Sequence, residues 1–247
     1  MRYTFTGTRR AVALTLLGIL FTTFGWLGLL TPEEFRPMFI GLSACYFVAF
    51  LGVGGGYFWG RWVATGIGWS GAMSILAVGQ AEDPWPVVIW SGVHALVILA
   101  LAGRKMAEEF ELKPEWRERW KLDDAAVKKI GGAVTSVASS FPLILARLLY
   151  RPEGMTLVAA IAAVLGVGLL LRGRTAGVFA AATAGVLVLL TGPAMLPFAA
   201  SDVRYLQLAP SVLAAGNPAA GWIAGVALLL PLAIFGRAMV RYLRTAD

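Results

Sequence analysis

The feature that most limits how this chain can fold is a series of apolar blocks, 17 to 22 residues long, set apart by short charged or proline-containing breaks. About 20 helical residues, rising 1.5 Å each, cross the roughly 30 Å of bilayer hydrocarbon. Seven blocks are clear: 11–30, 38–59, 63–79, 87–103, 155–171, 175–191 and 219–236. An eighth, 131–150, is interrupted by Thr135, Ser136, Ser139, Ser140, Pro142 and Arg147. Lipid offers the backbone no hydrogen bonds, and no alternating ten-residue pattern suggests a barrel, so the spans are helices. Composition agrees. The chain is 58% hydrophobic and 14% charged, against about 45–50% and about 25% in soluble domains. The expected fold class is all-α: a polytopic integral membrane helical bundle of about eight transmembrane helices, or seven if 131–150 is interfacial.

Charge decides between eight and seven. The net charge of +7 does not form one basic stripe with interleaved aromatics, as a nucleic-acid surface would. The basic residues recur between apolar blocks, which is the positive-inside pattern. If 131–150 crosses, 17 lysines and arginines fall on the cytoplasmic side and three (Arg36, Arg151, Arg204) outside; if it does not, the split is 15 to six. Eight spans with both termini cytoplasmic is the better reading. Arg147 then sits within a span, where an arginine at mid-depth costs roughly 2.5–3.5 kcal/mol, but it is one turn from Arg151 and can snorkel to the outer interface. Arg2, Arg9 and Arg10 precede the first block, and no small-x-small cleavage site follows it, so it reads as an uncleaved first span. Arginine outnumbers lysine 16 to five, which suggests a bacterial source and the inner membrane.

The chain divides into a first four-helix membrane half, 1–103, a cytoplasmic amphipathic linker, 104–130, and a second four-helix half, 131–247. Within the linker, Pro114 and Glu115 suit a helix start, and Leu112, Trp116 and Trp120 share one face. That segment reads as a Trp-anchored helix on anionic headgroups, with a docking surface as the alternative. Small residues recur at four-residue spacing: Gly52, Gly56 and Gly60; Ala64, Gly68 and Ala72; Gly177, Ala181 and Gly185; Gly221 and Gly225. Such faces let helices approach closely. Gly52 to Gly56 has a second reading, a broken helix lining a solute path.

Little in the sequence points to chemistry. No catalytic triad order, HExxH or phosphate loop occurs in a plausible context, and acidic residues avoid the spans. Cys45 is the only cysteine, which leaves no internal disulfide. His94, the only histidine, lies near mid-depth of the fourth span. Its structural reading is a neutral imidazole bonded to Ser70 or Ser74 of the third span; its functional readings are a solute or proton path, or a ligand paired with Met73. Glu82 and Asp83 share one outer loop. Asp202 and Arg204 lie on the polar face of a longer one, either a lid or an interfacial helix.

These features lead to a non-catalytic integral membrane protein, a subunit or scaffold of a membrane complex, with no cofactor assigned. Its expected partners are the lipid bilayer and other membrane subunits met through the small-residue faces or the linker; no nucleic acid is expected. The alternatives are a small transporter or channel for an apolar or amphipathic solute and, less favoured, an intramembrane lipid- or quinone-modifying enzyme built on His94.

Overall fold

The computed structural model describes residues 5–33, 35–80, 83–111, 124–150, 154–172 and 174–191, and six helical positions between Gly225 and Val240. Regular structure among these residues is helical throughout. The elements are α1 (Phe5–Leu30), α2 (Arg36–Gly54), α3 (Phe58–Ala72) continued by a 3-10 segment (Met73–Gln80), α4 (Trp85–Leu101), α5 (Arg104–Glu111), α6 (Asp124–Tyr150), α7 (Gly154–Leu171) and α8 (Ala176–Thr191). Prolines sit in the first turns of α2 and α4, where the missing N–H has no intrahelical acceptor to lose.

Three helices, α1, α2 and α7, are long and apolar enough to cross a membrane, and α4 with α5 makes a fourth if the bent pair is one span. The side chains of α7 explain why water is the wrong solvent. Its inward face carries Thr156, Ala159, Ala160, Ala163 and Gly166, while Leu157, Val158, Ile161, Val164 and Leu165 point outward. Small residues inside and large aliphatics outside reverse the order of a soluble helix. That order suits lipid, where close backbone approach holds helices together.

Glycine contacts give the direction of each helix. A Cβ on Gly28 would lie 2.8 Å from Ile40, and one on Gly18 would lie 3.6 Å from Phe50, so α1 and α2 are antiparallel. Gly71 meets the His94 ring and Gly68 meets Ile98, so α3 and α4 are antiparallel too. Gly166 packs on Ala181, and Gly177 packs on Leu170, which makes α7 and α8 antiparallel. Between α3 and α6 the order is the opposite: Gly131 lies against Trp62, and Gly66 against Thr135 and Ala138. These two helices therefore run parallel.

The segment left open by the sequence, 131–150, is thus one continuous helix with its own upstream turn, packed along α3 and also touching α2 and α7. Two of its hydroxyls bond within the helix: Ser139 and Ser140 both donate to the Ser136 carbonyl, at 2.7 and 3.5 Å. The helix starts at Asp124, inside the stretch assigned to the linker. The amphipathic turn around Leu112, Trp116 and Trp120 lies outside the described residues, as does the side chain of Arg147.

Two expectations change. The block 38–59 is not one span, because α2 stops at Gly54 and the chain turns through Gly56, whose φ of 64° favours glycine. The Gly55 N–H returns to the Leu51 carbonyl at 2.8 Å, and that of Tyr57 to the Gly52 carbonyl at 3.0 Å. Gly52 and Gly60 then touch each other across the turn, with a Cβ on Gly52 falling 2.8 Å from the Gly60 Cα. They close a hairpin and do not form one helical face. Elsewhere the small-residue rows do meet neighbours: Gly185 faces Leu228 and Leu229, and Gly225 faces Leu189. Gly221 lies outside the described residues.

Buried side chains form two clusters. One gathers α1, α2, α4, α5 and part of α3; the other gathers the start of α3 with α6, α7, α8 and Leu228. Val63 and Phe141 pack against both, so α3 and α6 form the seam.

Candidate functional sites in the bundle core, at its basic end and on its side

His94 is 1% exposed at the centre of the first cluster. Its Nδ1 lies 2.8 Å from the Trp90 carbonyl, which can only accept, so Nδ1 carries the proton. In the neutral ring Nε2 is then the acceptor, and the Tyr46 hydroxyl, 2.9 Å away, donates to it. The partner expected from sequence is therefore replaced. The ring does face α3, but it packs against Gly71, and the hydroxyls of Ser70 and Ser74 are buried without a hydrogen-bond partner among the described residues. Met73 is exposed, whereas the ring is buried. With both nitrogens engaged, the imidazole has no lone pair to offer a metal in this arrangement. Among the described residues no group of three or more His, Cys, Asp or Glu side chains is placed to hold one.

Aromatic rings enclose the pair. Phe24 of α1 stacks on Tyr46 at 5.5 Å and meets Trp90 edge-on at 5.1 Å, and Trp90 lies 4.3 Å from the His94 ring. Four helices thus contribute: α1 and α2 through rings, α4 through Trp90 and His94, and α3 through the absence of a side chain at Gly71. Tyr46 was missed in the sequence. A phenol in the middle of an apolar block needs a partner as much as an imidazole does, and that shared need was the available signal.

A second polar arrangement closes one end of the bundle. Gly103, with φ of 96°, turns α5 through 72° from α4, and α5 lies across the helix ends with Met106 and Phe110 buried. Arginines cap the C-termini that meet there. Arg9 donates to the Leu99 and Ala102 carbonyls of α4, and Arg10 to those of Val53 and Gly54 at 3.0 and 2.6 Å. The negative end of each helix dipole and its unpaired carbonyls attract such cations. Arg10 also reaches Glu109 at 3.6 Å and lies 5.5 Å from the Phe110 ring centre. Arg61 of α3 pairs with Glu111 at 2.6 Å and donates to the Leu101 carbonyl at 3.2 Å, while Trp62 Nε1 donates to the same carboxylate oxygen at 2.8 Å. Sequence reading counted these arginines for topology and did not see that α5 supplies the anions of Arg10 and Arg61.

The outer-loop candidates separate. Asp83 accepts from the Trp85 N–H at 3.1 Å and so satisfies a free donor at the start of α4, a local role. Glu82, Asp202 and Arg204 lie outside the described residues.

On its side the bundle carries an apolar groove of about 470 Å³. Gly41 and Val48 of α2 form one wall and Ala163 and Val167 of α7 the other, over a floor that includes Ile67 of α3 and Phe141 of α6. Cys45, a buried free thiol, is its most polar lining group.

No protein-family model matches this sequence, no curated protein matches it, and no solved structure matches the fold.

Proposed function

We propose that the chain is a non-catalytic subunit or scaffold of a membrane complex, crossing a bacterial inner membrane eight times with both termini in the cytoplasm. The observation that carries the reading is the engagement of His94. Its two nitrogens bind the Trp90 carbonyl and the Tyr46 hydroxyl, and its ring fills the gap at Gly71. A proton carrier or intramembrane enzyme built on this residue would need one nitrogen facing a solute or substrate. Here the imidazole ties α2, α3 and α4 together instead.

Helix directions support the crossing number. With α3 and α6 parallel, and α7 joined to α6 by a short connection that makes packed neighbours antiparallel, Arg172 and Arg174 come to the end where Arg9, Arg10 and Arg61 lie. That is the alternation eight spans require, and it gathers the basic residues on one side. Opposite α5 and its arginine collar, the other end carries the short connections between α1 and α2 and between the 3-10 segment and α4.

The test is extraction of the tagged full-length chain from native membranes in mild detergent, followed by native electrophoresis and quantitative mass spectrometry. The expected result is a particle larger than the 26.3 kDa chain in its micelle, with one membrane protein retained at fixed stoichiometry. Recovery of the isolated chain alone, at full stability, would count against a subunit role.

A further inference from the structure

We infer that water is bound inside the bundle in the layer around Gly71 and His94, held by Ser70 and Ser74 of the third span and by Trp90 and Ser91 of α4. The inference depends neither on the subunit reading nor on the crossing number. Its ground is a concentration of polar atoms that the protein buries and leaves unpaired. The hydroxyls of Ser70, Ser74 and Ser91 and the Trp90 Nε1 have no hydrogen-bond partner among the described residues, and all four side chains are more than nine-tenths buried. They share one depth. Ser70 and Ser74 stand one turn apart on either side of Gly71, which receives the His94 ring, and Trp90 and Ser91 lie one turn before His94. The register that sets Gly68 on Ile98 and Gly71 on His94, carried one turn outward, brings Ser74 level with Ser91.

Other hydroxyls of the chain are satisfied by the protein itself. Thr22, Ser139, Thr183 and Thr191 donate to carbonyls of their own helices, and Ser43 donates across to the Phe21 carbonyl. Ser70, Ser74 and Ser91 do neither, and their apolar neighbours cannot relieve the cost of burying an unpaired hydroxyl. The chemistry of the four groups selects the occupant. An indole N–H only donates, so it is no ligand for a cation, whereas serine oxygens both donate and accept. An anion would bring a charge that nothing at this depth balances, since Arg61 lies nine residues, about 14 Å, down α3 and is already paired with Glu111. The contact at Gly71 leaves no room even for a methyl group beside the ring, so the occupant is small. Water is small and neutral, it donates and accepts, and a buried water makes about three such bonds. The backbone leaves space for it: at Met73 the α-helix gives way to the tighter 3-10 coil, just where Ser74 and Ser91 come level. Bound water thus completes a polar core whose other part is the Tyr46–His94 bond.

The experiment is radiolytic hydroxyl-radical footprinting of the full chain in lipid nanodiscs, read by peptide mass spectrometry, because radiolysis of a bound water modifies the side chains that hold it. Corrected for intrinsic reactivity, Trp90 is expected to be modified about fivefold faster than the buried Phe39 and Leu17. After rapid mixing into water enriched in heavy oxygen, the oxygen added at the exposed Trp85 should be heavy at once, and that added at Trp90 should lag, as held water exchanges slowly. Ser74→Ala combined with Ser91→Ala should cut the Trp90 rate about threefold and lower the thermal midpoint, since the water loses its partners. Ser43→Ala, whose hydroxyl is bonded to a carbonyl, should leave the Trp90 rate unchanged. Modification of Trp90 at the rate of Phe39 overturns the assignment, and because it is read on the unaltered chain it decides the matter even if a variant fails to fold. So does a Trp90 rate that the double serine change leaves unaltered, or a midpoint that this change raises, the mark of hydroxyls packed dry and unpaired. A midpoint that depends on sodium against choline, or on chloride against gluconate, at fixed ionic strength would place an ion there instead and overturns it as well.

Discussion

The Tyr46 hydroxyl and the His94 Nε2 face each other at 2.9 Å inside a cage of aromatic rings, joining α2 to α4 at the centre of the bundle. Hydrogen bonds between membrane helices are worth about 0.6–1.7 kcal/mol by double-mutant cycles. Tyr46→Phe keeps the ring and removes the donor, so it should destabilise the protein by about 1 kcal/mol. In a His94→Leu background the same change should cost almost nothing. Unfolding in mixed micelles with increasing SDS measures both; equal costs in the two backgrounds would show that the bond contributes nothing.

Gly71 is the position where the ring has least room. A methyl group there would enter the imidazole, which its two hydrogen bonds hold in place. Gly71→Ala should therefore cost about 1–3 kcal/mol through overpacking. In a His94→Ala background the added methyl fills part of the space left by the ring, and the penalty should vanish or reverse sign. This non-additivity is the signature of direct contact, and two additive changes would refute it.

At the basic end, Glu111 accepts from both Arg61 and Trp62, and the side chains of the ion pair are only 19% (Arg61) and 12% (Glu111) exposed. Glu111→Ala leaves the guanidinium and the indole N–H without their shared acceptor, at a cost of about 3 kcal/mol, the low end for pairs of this burial. Glu111→Gln keeps a neutral oxygen acceptor and should lose less. Arg61→Glu combined with Glu111→Arg should not restore stability, because the exchanged arginine no longer reaches the Leu101 carbonyl and the new glutamate cannot donate to it. Thermal midpoints in detergent rank the three variants, and full recovery in the swap would mean that only charge matters.

Crossing number is tested from the two sides of the membrane. In a Cys45→Ala background, Glu153→Cys should react with an impermeant thiol reagent added to intact cells, and Thr245→Cys should react only after the membrane is opened. The reverse pattern would place α6 on one side of the bilayer and reduce the spans to seven.

The long apolar blocks were legible because length and hydropathy are local properties. The block 11–30 lies within α1, and 155–171 and 175–191 coincide closely with α7 and α8. The end of α2 was not, since residues 38–59 are apolar throughout and glycine counts as a span residue until its φ is known. For α6 the obstacle was different. Its serines and Pro142 look like surface residues when taken alone, and only the Ser139 and Ser140 bonds back to Ser136 make them compatible with an apolar setting. The His94 site was half legible. Depth along the spans pointed to the neighbouring α3, yet the bonding partner came from α2, because helices that are not consecutive in the chain meet around the ring.

The parallel pairing of α3 and α6 also sets an order of events during synthesis. The face of α3 that carries Trp62 and Gly66 has its complement at Gly131, Thr135 and Ala138, about 70 residues further along the chain. The α2–α3 hairpin can close as soon as it is made, since Gly52 and Gly60 need only each other. The opposite flank of α3 then has to remain uncovered until α6 has been made and has docked beside it. A chain arrested before residue 139 should accordingly hold a finished hairpin next to an unfilled seat, the state in which it is most open to proteolysis.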